Sequence, residues 1–514
     1  MEKVSEKSSN WQIKAGAIMS YVAIIVNILA GFVYTPWMLD VIGDSNYGLY
    51  TLATSLISLF VMDFGISAAT ARHVARYRAQ GETEKINNFL GIVYKLYIII
   101  DVIIALIFLV IYFNVNKIYD NLTVSEIEIF KNILVIVIFY NLLSFPFTPL
   151  TGILNAYEKF FPLKLVGCLN KILTVVITII ALALGGGIYH LVFIHVICNL
   201  VMITVRYILV KRLTPVKSRL RAWDKGEMKS IFTFSMWATI VGITSRLIFN
   251  ITPSILAMFV SSLGVTIFGL ASTLEGYVFM FSEGVNGLFL SKTTNAALSK
   301  NREKDTLSLM TRIGRINLSI VALIIVGFFV AGKEFVSLWL GNGYELVYYS
   351  AIIIIAPNLI YFPQQIGRTL LVVDGKQKYQ ALIYLIMGIV NIIISFILIP
   401  FMGVLGSAIS ISVVYCLRFI LMSVVFHKKL GVNMFSFYYN CYIKMLIPII
   451  ITAVLGVLIF YLIAIASWLL LIVKCVAVGI IYVILMWFLA WNKTEKELLT
   501  SPLKKLYKKL KRSR

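Results

Sequence analysis

The sequence predicts an all-α polytopic membrane protein with about fourteen transmembrane helices, and three observations carry that prediction. Of 514 residues, 60% are apolar and only 13% charged, and the mean hydropathy is +0.92. A soluble domain carries about 25% charged residues. The apolar residues come in runs of about 20–28, long enough for a helix to cross about 30 Å of hydrocarbon. The basic residues gather in alternate loops, as they do in chains that keep Lys and Arg on the cytoplasmic side. Lipid offers the backbone no hydrogen-bond partners, so only helices or a closed barrel can span it. The runs are not alternating segments of about ten residues, which excludes the barrel.

Taken in order, the spans fall near 15–39, 47–70, 86–113, 131–155 and 160–184. The next group lies near 188–210, 229–254, 264–290, 307–331 and 346–371, and the last near 380–400, 403–426, 441–462 and 466–490. Arg246, Glu275 and Glu283 dilute the seventh and eighth. Without that pair the number would be twelve, and the C-terminus would stay on the same side. With the N-terminus inside, 37 of the 46 Lys and Arg fall in cytoplasmic segments, counted with the span ends that adjoin them. Three (Lys117, Lys131 and Lys333) lie in outer loops, and six lie within spans. Both termini are therefore expected in the cytoplasm of a bacterial cell, with the chain in its cytoplasmic membrane.

A net charge of +23 on a soluble chain would point to nucleic acid. Here the loop asymmetry accounts for it, and no nucleic-acid partner is expected. The five cysteines have no paired spacing, and the four histidines form no metal constellation. No catalytic residue, metal or cofactor is expected. Met1 to Trp11 is polar and shows no signal-peptide cleavage site before the first span. The tail from Lys504 to Arg512 is basic and amphipathic, suited to anionic headgroups.

The two halves echo each other at an offset of about 217–221 residues. Thr35-Pro36 ends the first helix and Tyr47-Gly48-Leu49 opens the second, while Thr252-Pro253 and Phe268-Gly269-Leu270 hold the same places around helices seven and eight. Asp63-Phe64-Gly65 is echoed by Glu283-Gly284, Lys85 by Lys304, and Asn170 by Asn391. The expected organisation is a six-helix lobe over 1–212, a basic cytoplasmic linker over 213–228, and a second six-helix lobe over 229–430. Two additional helices over 431–491 and a basic tail over 492–514 follow. An even number of helices per repeat relates the lobes by an axis along the membrane normal, which is a transporter layout.

Charges within spans are costly, and each is a functional hypothesis. They are Asp63 in helix two, Lys95 and Asp101 in helix three, Lys171 in helix five and Arg246 in helix seven, then Glu275 and Glu283 in helix eight and Lys474 in helix fourteen, while Arg206 and Arg418, near cytoplasmic ends, need no special role. Asp63 and Lys95, both about two turns above the cytoplasmic surface, are placed to pair. Asp101 is about 240° around its helix from Lys95 and shares no face with it. Lys474 is expected to snorkel to the outer headgroups. Arg246 and Glu275 could pair with each other. Alternatively, Arg246 and Lys171 hold a diphosphate, for which the planar arginine fork suits phosphate oxygens, while an acid handles a coupling ion. Pro36, Pro146, Pro149, Pro253, Pro357 and Pro363 are expected to break or kink helices, and Gly185-Gly186-Gly187 to make a tight outer turn.

Pro36, Gly43, Tyr47-Gly48-Leu49-Tyr50 and Asp63-Phe64-Gly65 resemble the opening of polysaccharide-type oligosaccharide flippases. Leu338-Trp339-Leu340-Gly341, Asp374-Gly375-Lys376 and the stretch from Ile399-Pro400 through Gly406-Ser407-Ala408 extend the resemblance over nearly the whole chain. That family sits in the multidrug/oligosaccharidyl-lipid/polysaccharide exporter superfamily. The resemblance implies two six-helix lobes, alternating access, and an oligosaccharide carried on undecaprenyl diphosphate. It also implies a cavity lined by helices one, two, seven and eight, hence by Asp63, Arg246, Glu275 and Glu283. The cations offered to substrate are then Arg246, Lys171 and Lys95. The acids offered to a coupling H+ or Na+ are Glu275, Glu283 and Asp63. Partners would be the lipid-linked sugar, membrane lipids and assembly proteins such as a polymerase.

Two rivals remain at this point. A cation-coupled drug exporter of the same superfamily would favour an acidic cavity, whereas the embedded charges here number four of each sign. A membrane-bound polymerase or ligase would need a large outer loop, and the longest here (Asn114 to Phe130) is short and without histidine.

Overall fold

Among the described residues of the computed structural model, thirteen helices are long and apolar enough to cross a membrane, and no strand occurs. Those residues are 6–60, 63–221, 224–287, 301–463, 467–493, 495–497 and 500. The basic tail, read from Lys504 to Arg512, lies outside them.

The fourteenth expected span is the second, and it is divided. After α1 (Glu6–Ile42), α2 (Asp44–Phe60) and α3 (Ile66–Ala79) replace the single helix read over 47–70. α1 itself does not end at Thr35-Pro36. It runs through Pro36 and stops before Gly43, whose φ of 80° is in the left-handed region open to glycine. α4 (Thr83–Ile118) and α5 (Val124–Ser144) form a hairpin, in which Thr123 and Glu126 cap the start of α5 reciprocally. A tight turn over 145–147 contains Pro146, and α6 (Pro149–Ala156) follows it. α7 (Phe160–Ala183) and α8 (Ile188–Leu213) meet at the glycine turn, where Gly185 has φ 85°.

α9 (Lys225–Phe249) ends before Pro253, and α10 (Thr252–Phe259) and α11 (Ser262–Gly287) follow. α12 (Arg302–Leu340) has 39 residues, about 58 Å at 1.5 Å per residue. The next span is in pieces, α13 (Glu345–Ile355), α14 (Asn358–Tyr361) and α15 (Gln365–Val373), parted at Pro357 and Pro363. Neither proline can donate the backbone hydrogen bond that would continue the helix. α16 (Gln377–Met402), α17 (Val404–Leu430), α18 (Met434–Tyr438), α19 (Lys444–Leu462) and α20 (Trp468–Leu485) complete the chain.

By packing, the chain forms two units: 1–270 with 381–411, and 271–380 with 412–514. In lipid, helices gain little from the hydrophobic effect and associate through close packing at small residues. In the first unit, Gly48 of α2 lies against the Ser262 backbone and Gly269 of α11 against Thr51. Gly91 of α4 lies under the carbonyl of Arg219, where the linker after α8 is laid down. Arg219 N donates to Asn87 O at 3.0 Å, and Lys217 N to Asn87 Oδ1 at 2.7 Å. In the second unit, Gly314 of α12 packs on the Pro363 carbonyl and the Phe437 ring. One helical position on, Arg315 meets Glu495 at 2.6 Å with both side chains buried, and also donates to the carbonyls of Ala490 at 2.7 Å and Asn440 at 3.0 Å.

Candidate functional site

The break in the second span is where the first unit gathers its polar groups. Phe64 and Gly65 have φ of 51° and 66°. The left-handed region costs a non-glycine residue roughly 1–2 kcal/mol, so Phe64 is held there by its surroundings. Non-helical backbone at membrane depth also exposes carbonyls that lipid cannot satisfy. Among the described residues, several carbonyls find side-chain donors here. Thr239 donates to Phe64 O, Ser235 to Gly65 O at 3.3 Å, and Arg246 to Ser58 O. Those three donors occupy positions i, i+4 and i+11 of α9, one face of the helix. From the other side, the Tyr97 hydroxyl of α4 is shared between Asp63 O at 3.0 Å and Asp63 Oδ1 at 3.1 Å.

Asp63 therefore sits at the broken ends. Its carboxylate accepts the Ser67 amide at 2.8 Å, in the first turn of α3, while the residue stays exposed. Arg246, half-buried, is the cation whose field reaches it. The expected Asp63–Lys95 pair is replaced: Tyr97, two residues on and so on the opposite side of α4, is the partner of Asp63. Lys95 is half-buried on the other side. Lys171 is exposed on α7, and its charge reaches His195 of the adjacent α8.

Beyond the span read over 47–70, α3 carries a second polar group. The ring of His73 stacks on Phe89 at 5.0 Å, and Tyr77 donates to Glu227, which is also 4.0 Å from His73. Burial holds His73 below its ordinary value, and the Glu227 carboxylate offsets part of this. Burial, with the hydrogen bond to Glu227, pushes Tyr77 up to about 12.

In the second unit, Glu275 is buried and accepts from Asn358 Nδ2 at 3.3 Å. Two further contacts repeat along the same faces: Phe279 against Phe362 at 5.9 Å, and Ser282 donating to Gln365 at 3.3 Å. α11 thus runs alongside the pieces of the broken span at a constant offset. Within its own unit Arg246 has Ser58 as partner, and Glu275 has Asn358. The Glu283 side chain lies outside the described residues.

Two other readings change. Lys474 does not snorkel: it is buried, 2.6 Å from Glu334 and 2.9 Å from the Ile463 carbonyl. Arg418, taken as unremarkable near a helix end, is fully buried with its guanidinium 3.8 Å above the Tyr361 ring.

Sequence reasoning missed Tyr97, Ser235 and Thr239. The i, i+4 spacing of the last two toward Arg246 is a signal visible in the sequence. The repeat pair Asn170 and Asn391 does recur: Asn170 donates to Asn199 of the next helix at 3.0 Å, and Asn391 accepts from Ser410 of the next helix at 2.9 Å.

A family model described as polysaccharide biosynthesis protein matches residues 13–289. No characterised protein sequence matches the chain significantly. The fold is similar to that of the lipid II flippase MurJ in an inward closed conformation, with TM-score 0.64, 14% identity, and 91% of this chain and 98% of that one covered. It is also similar to an inward-facing multidrug resistance MATE family transporter of the MOP superfamily (TM-score 0.62, 13% identity, 81% and 98% covered). A MOP superfamily transporter from Pyrococcus furiosus gives TM-score 0.57 at 14% identity, with 83% and 96% covered. At such identities the likeness is one of fold.

Proposed function

The chain belongs to the polysaccharide biosynthesis protein family, and from that premise we propose that it moves an undecaprenyl-diphosphate-linked oligosaccharide from the inner to the outer leaflet of a bacterial cytoplasmic membrane. It does so as a transporter with two six-helix lobes that alternate access, rather than as an enzyme. The observation that carries this reading is Arg246. A diphosphate brings at least two negative charges through a low-dielectric interior, a passage that is prohibitive without a fixed countercharge. Arg246 is a cation within a span, it keeps its proton under burial, and the Ser58 carbonyl engages one of its five N–H donors. The others are the fork for phosphate oxygens. Lys95 and Lys171 are secondary cations along the path.

Asp63, Glu275 and Glu283 are the acids assigned to a coupling H+ or Na+. Glu275→Gln should abolish gradient-driven transport while leaving substrate binding; equal loss of both would assign Glu275 to packing alone.

The reading is tested in proteoliposomes that report flipping of a lipid-linked oligosaccharide. Arg246→Ala should stop flipping, and Lys, without the fork, should restore it in part. Arg246→Gln keeps a donor for Ser58 without the charge, so it too should be inactive, with unfolding temperature near wild type. Full flipping by the Gln variant would show that Arg246 only caps Ser58 and would overturn the diphosphate role.

A further inference from the structure

The α4–α5 hairpin buries one stripe from each arm, apolar beyond Tyr97 and Ser144 except at one level. On α4 the stripe passes through Tyr97, Asp101, Ile104 and Phe108; on α5 it passes through Leu134, Val137 and Asn141. The rings of Tyr97 and Phe145 are 5.2 Å apart across the hairpin. Asp101 is one helical turn after Tyr97, and Asn141 is one turn before Phe145. In an antiparallel pair these steps run in the same direction along the membrane, so Asp101 and Asn141 stand level on facing stripes. Asp101 is 4% exposed and Asn141 1%. Asp101 Oδ1, Asn141 Oδ1 and Asn141 Nδ2 are all buried without a hydrogen-bond partner.

Other charged and titratable groups on the elements packed against α4 are engaged elsewhere. Lys95 lies about 240° around α4. Asp63 and Tyr97 hold each other beside α3, and His73 is stacked on Phe89, three turns away. Tyr140 of α5 faces Arg206 of α8. On α9, Arg246 is tied to Ser58 and Glu227 to Tyr77. An isolated carboxylate in low dielectric must be neutralised, and an amide oxygen is a second hard oxygen donor for whatever does so.

We propose that Asp101 and Asn141 form a monovalent-cation site within the α4–α5 hairpin, taking H+ or Na+ between a carboxylate and an amide oxygen. A divalent ion is disfavoured, since a single carboxylate leaves it half neutralised and no group of three metal-ligating side chains occurs among the described residues. Asn141 orders the site in either case: its oxygen accepts from the protonated carboxyl, or it coordinates Na+ beside the carboxylate. The site is a property of the first unit and stands whether or not the cargo is a lipid-linked sugar.

The test uses the full chain purified into nanodiscs, with radioactive Na+ as one probe and the infrared carboxylic-acid band, followed against pH, as the other. Asp101→Asn keeps the shape and removes the charge; Asn141→Leu keeps the charge and removes the second oxygen. If the cation is sodium, wild type binds Na+ saturably, Asp101→Asn loses that binding, and Asn141→Leu weakens it at least tenfold. If it is the proton, no Na+ binds, a protonated carboxyl is present at neutral pH, Asp101→Asn removes its band, and Asn141→Leu shifts it. Should Asp101→Asn fail to fold, Asp101→Glu takes its place and must move the Na+ affinity or the carboxyl band. Wild-type protein with neither saturable Na+ binding nor a protonated carboxyl at Asp101 overturns the proposal.

Discussion

The hydroxyl of Thr239 on α9 donates to the carbonyl of Phe64 at the point where the second span is broken. Thr239→Val keeps the side chain's shape and removes the donor, leaving a carbonyl unsatisfied at a cost of about 1–3 kcal/mol. The expected result is a lower unfolding temperature in detergent, with Thr239→Ser close to wild type. An unchanged midpoint in the valine variant would show that Phe64 O is satisfied in another way.

Gly91 permits the linker to lie on α4, because a Cβ there would collide with the Arg219 carbonyl. Gly91→Ala should lift the segment around Arg219 and Arg221, and limited trypsin digestion should then cut it faster than in wild type. Equal cleavage rates would mean that α4 shifts to make room.

Lys474 and Glu334 are a pair that neither residue can leave alone. Removing only the cation, as in Lys474→Met, strands a carboxylate and should cost about 3–5 kcal/mol. Adding Glu334→Gln should recover most of that loss. If the single variant unfolds no earlier than wild type, Glu334 is neutral in the native protein.

His73 gives stability a pH dependence. Its native pKa is depressed by burial, so between that value and about 6.5 the unfolded chain binds more protons than the folded one. Stability therefore rises with pH through this window, is fully present above about 6.5, and is lost as pH falls. Unfolding midpoints between about pH 5 and 7.5 should show the slope in wild type and a shallower one in His73→Gln. Identical slopes would place the titration on another group.

Orientation is checked by labelling a cysteine-free background with an impermeant thiol reagent in intact cells. Asn342→Cys and Ser45→Cys should react and Ser218→Cys should not. Labelling at Ser218 reverses the assignment.

The spans were readable because length and apolarity are local properties. Of the six prolines expected to break or kink helices, five fall at helix breaks and Pro36 is accommodated inside α1. The break at Phe64 was not readable: its carbonyls are satisfied by Ser235 and Thr239, about 170 residues later, and a sequence does not announce such distant donors. Lys474 failed for the same reason, since its depth was legible but its partner Glu334, 140 residues away, was not. Asp101 is a different case. Its stripe and that of Asn141 both follow from helical spacing, but that the two stripes face each other depends on how the hairpin packs.

The first unit is not continuous in sequence, and this bears on how the protein is made. Asn391 Nδ2, on α16, donates to the carbonyls of Leu247 and Ile248 at 3.3 and 3.2 Å, where α9 ends before Asn250. The ribosome has added roughly 140 further residues by the time this donor emerges. Until then the Leu247 carbonyl lacks this donor and that of Ile248 has only the Thr252 hydroxyl, and residues 1–270 wait for 381–411 to complete them. Biogenesis thus imposes an order in which the first-made helices mature late, and a nascent chain stalled before residue 381 would present this unfinished surface to the insertion machinery.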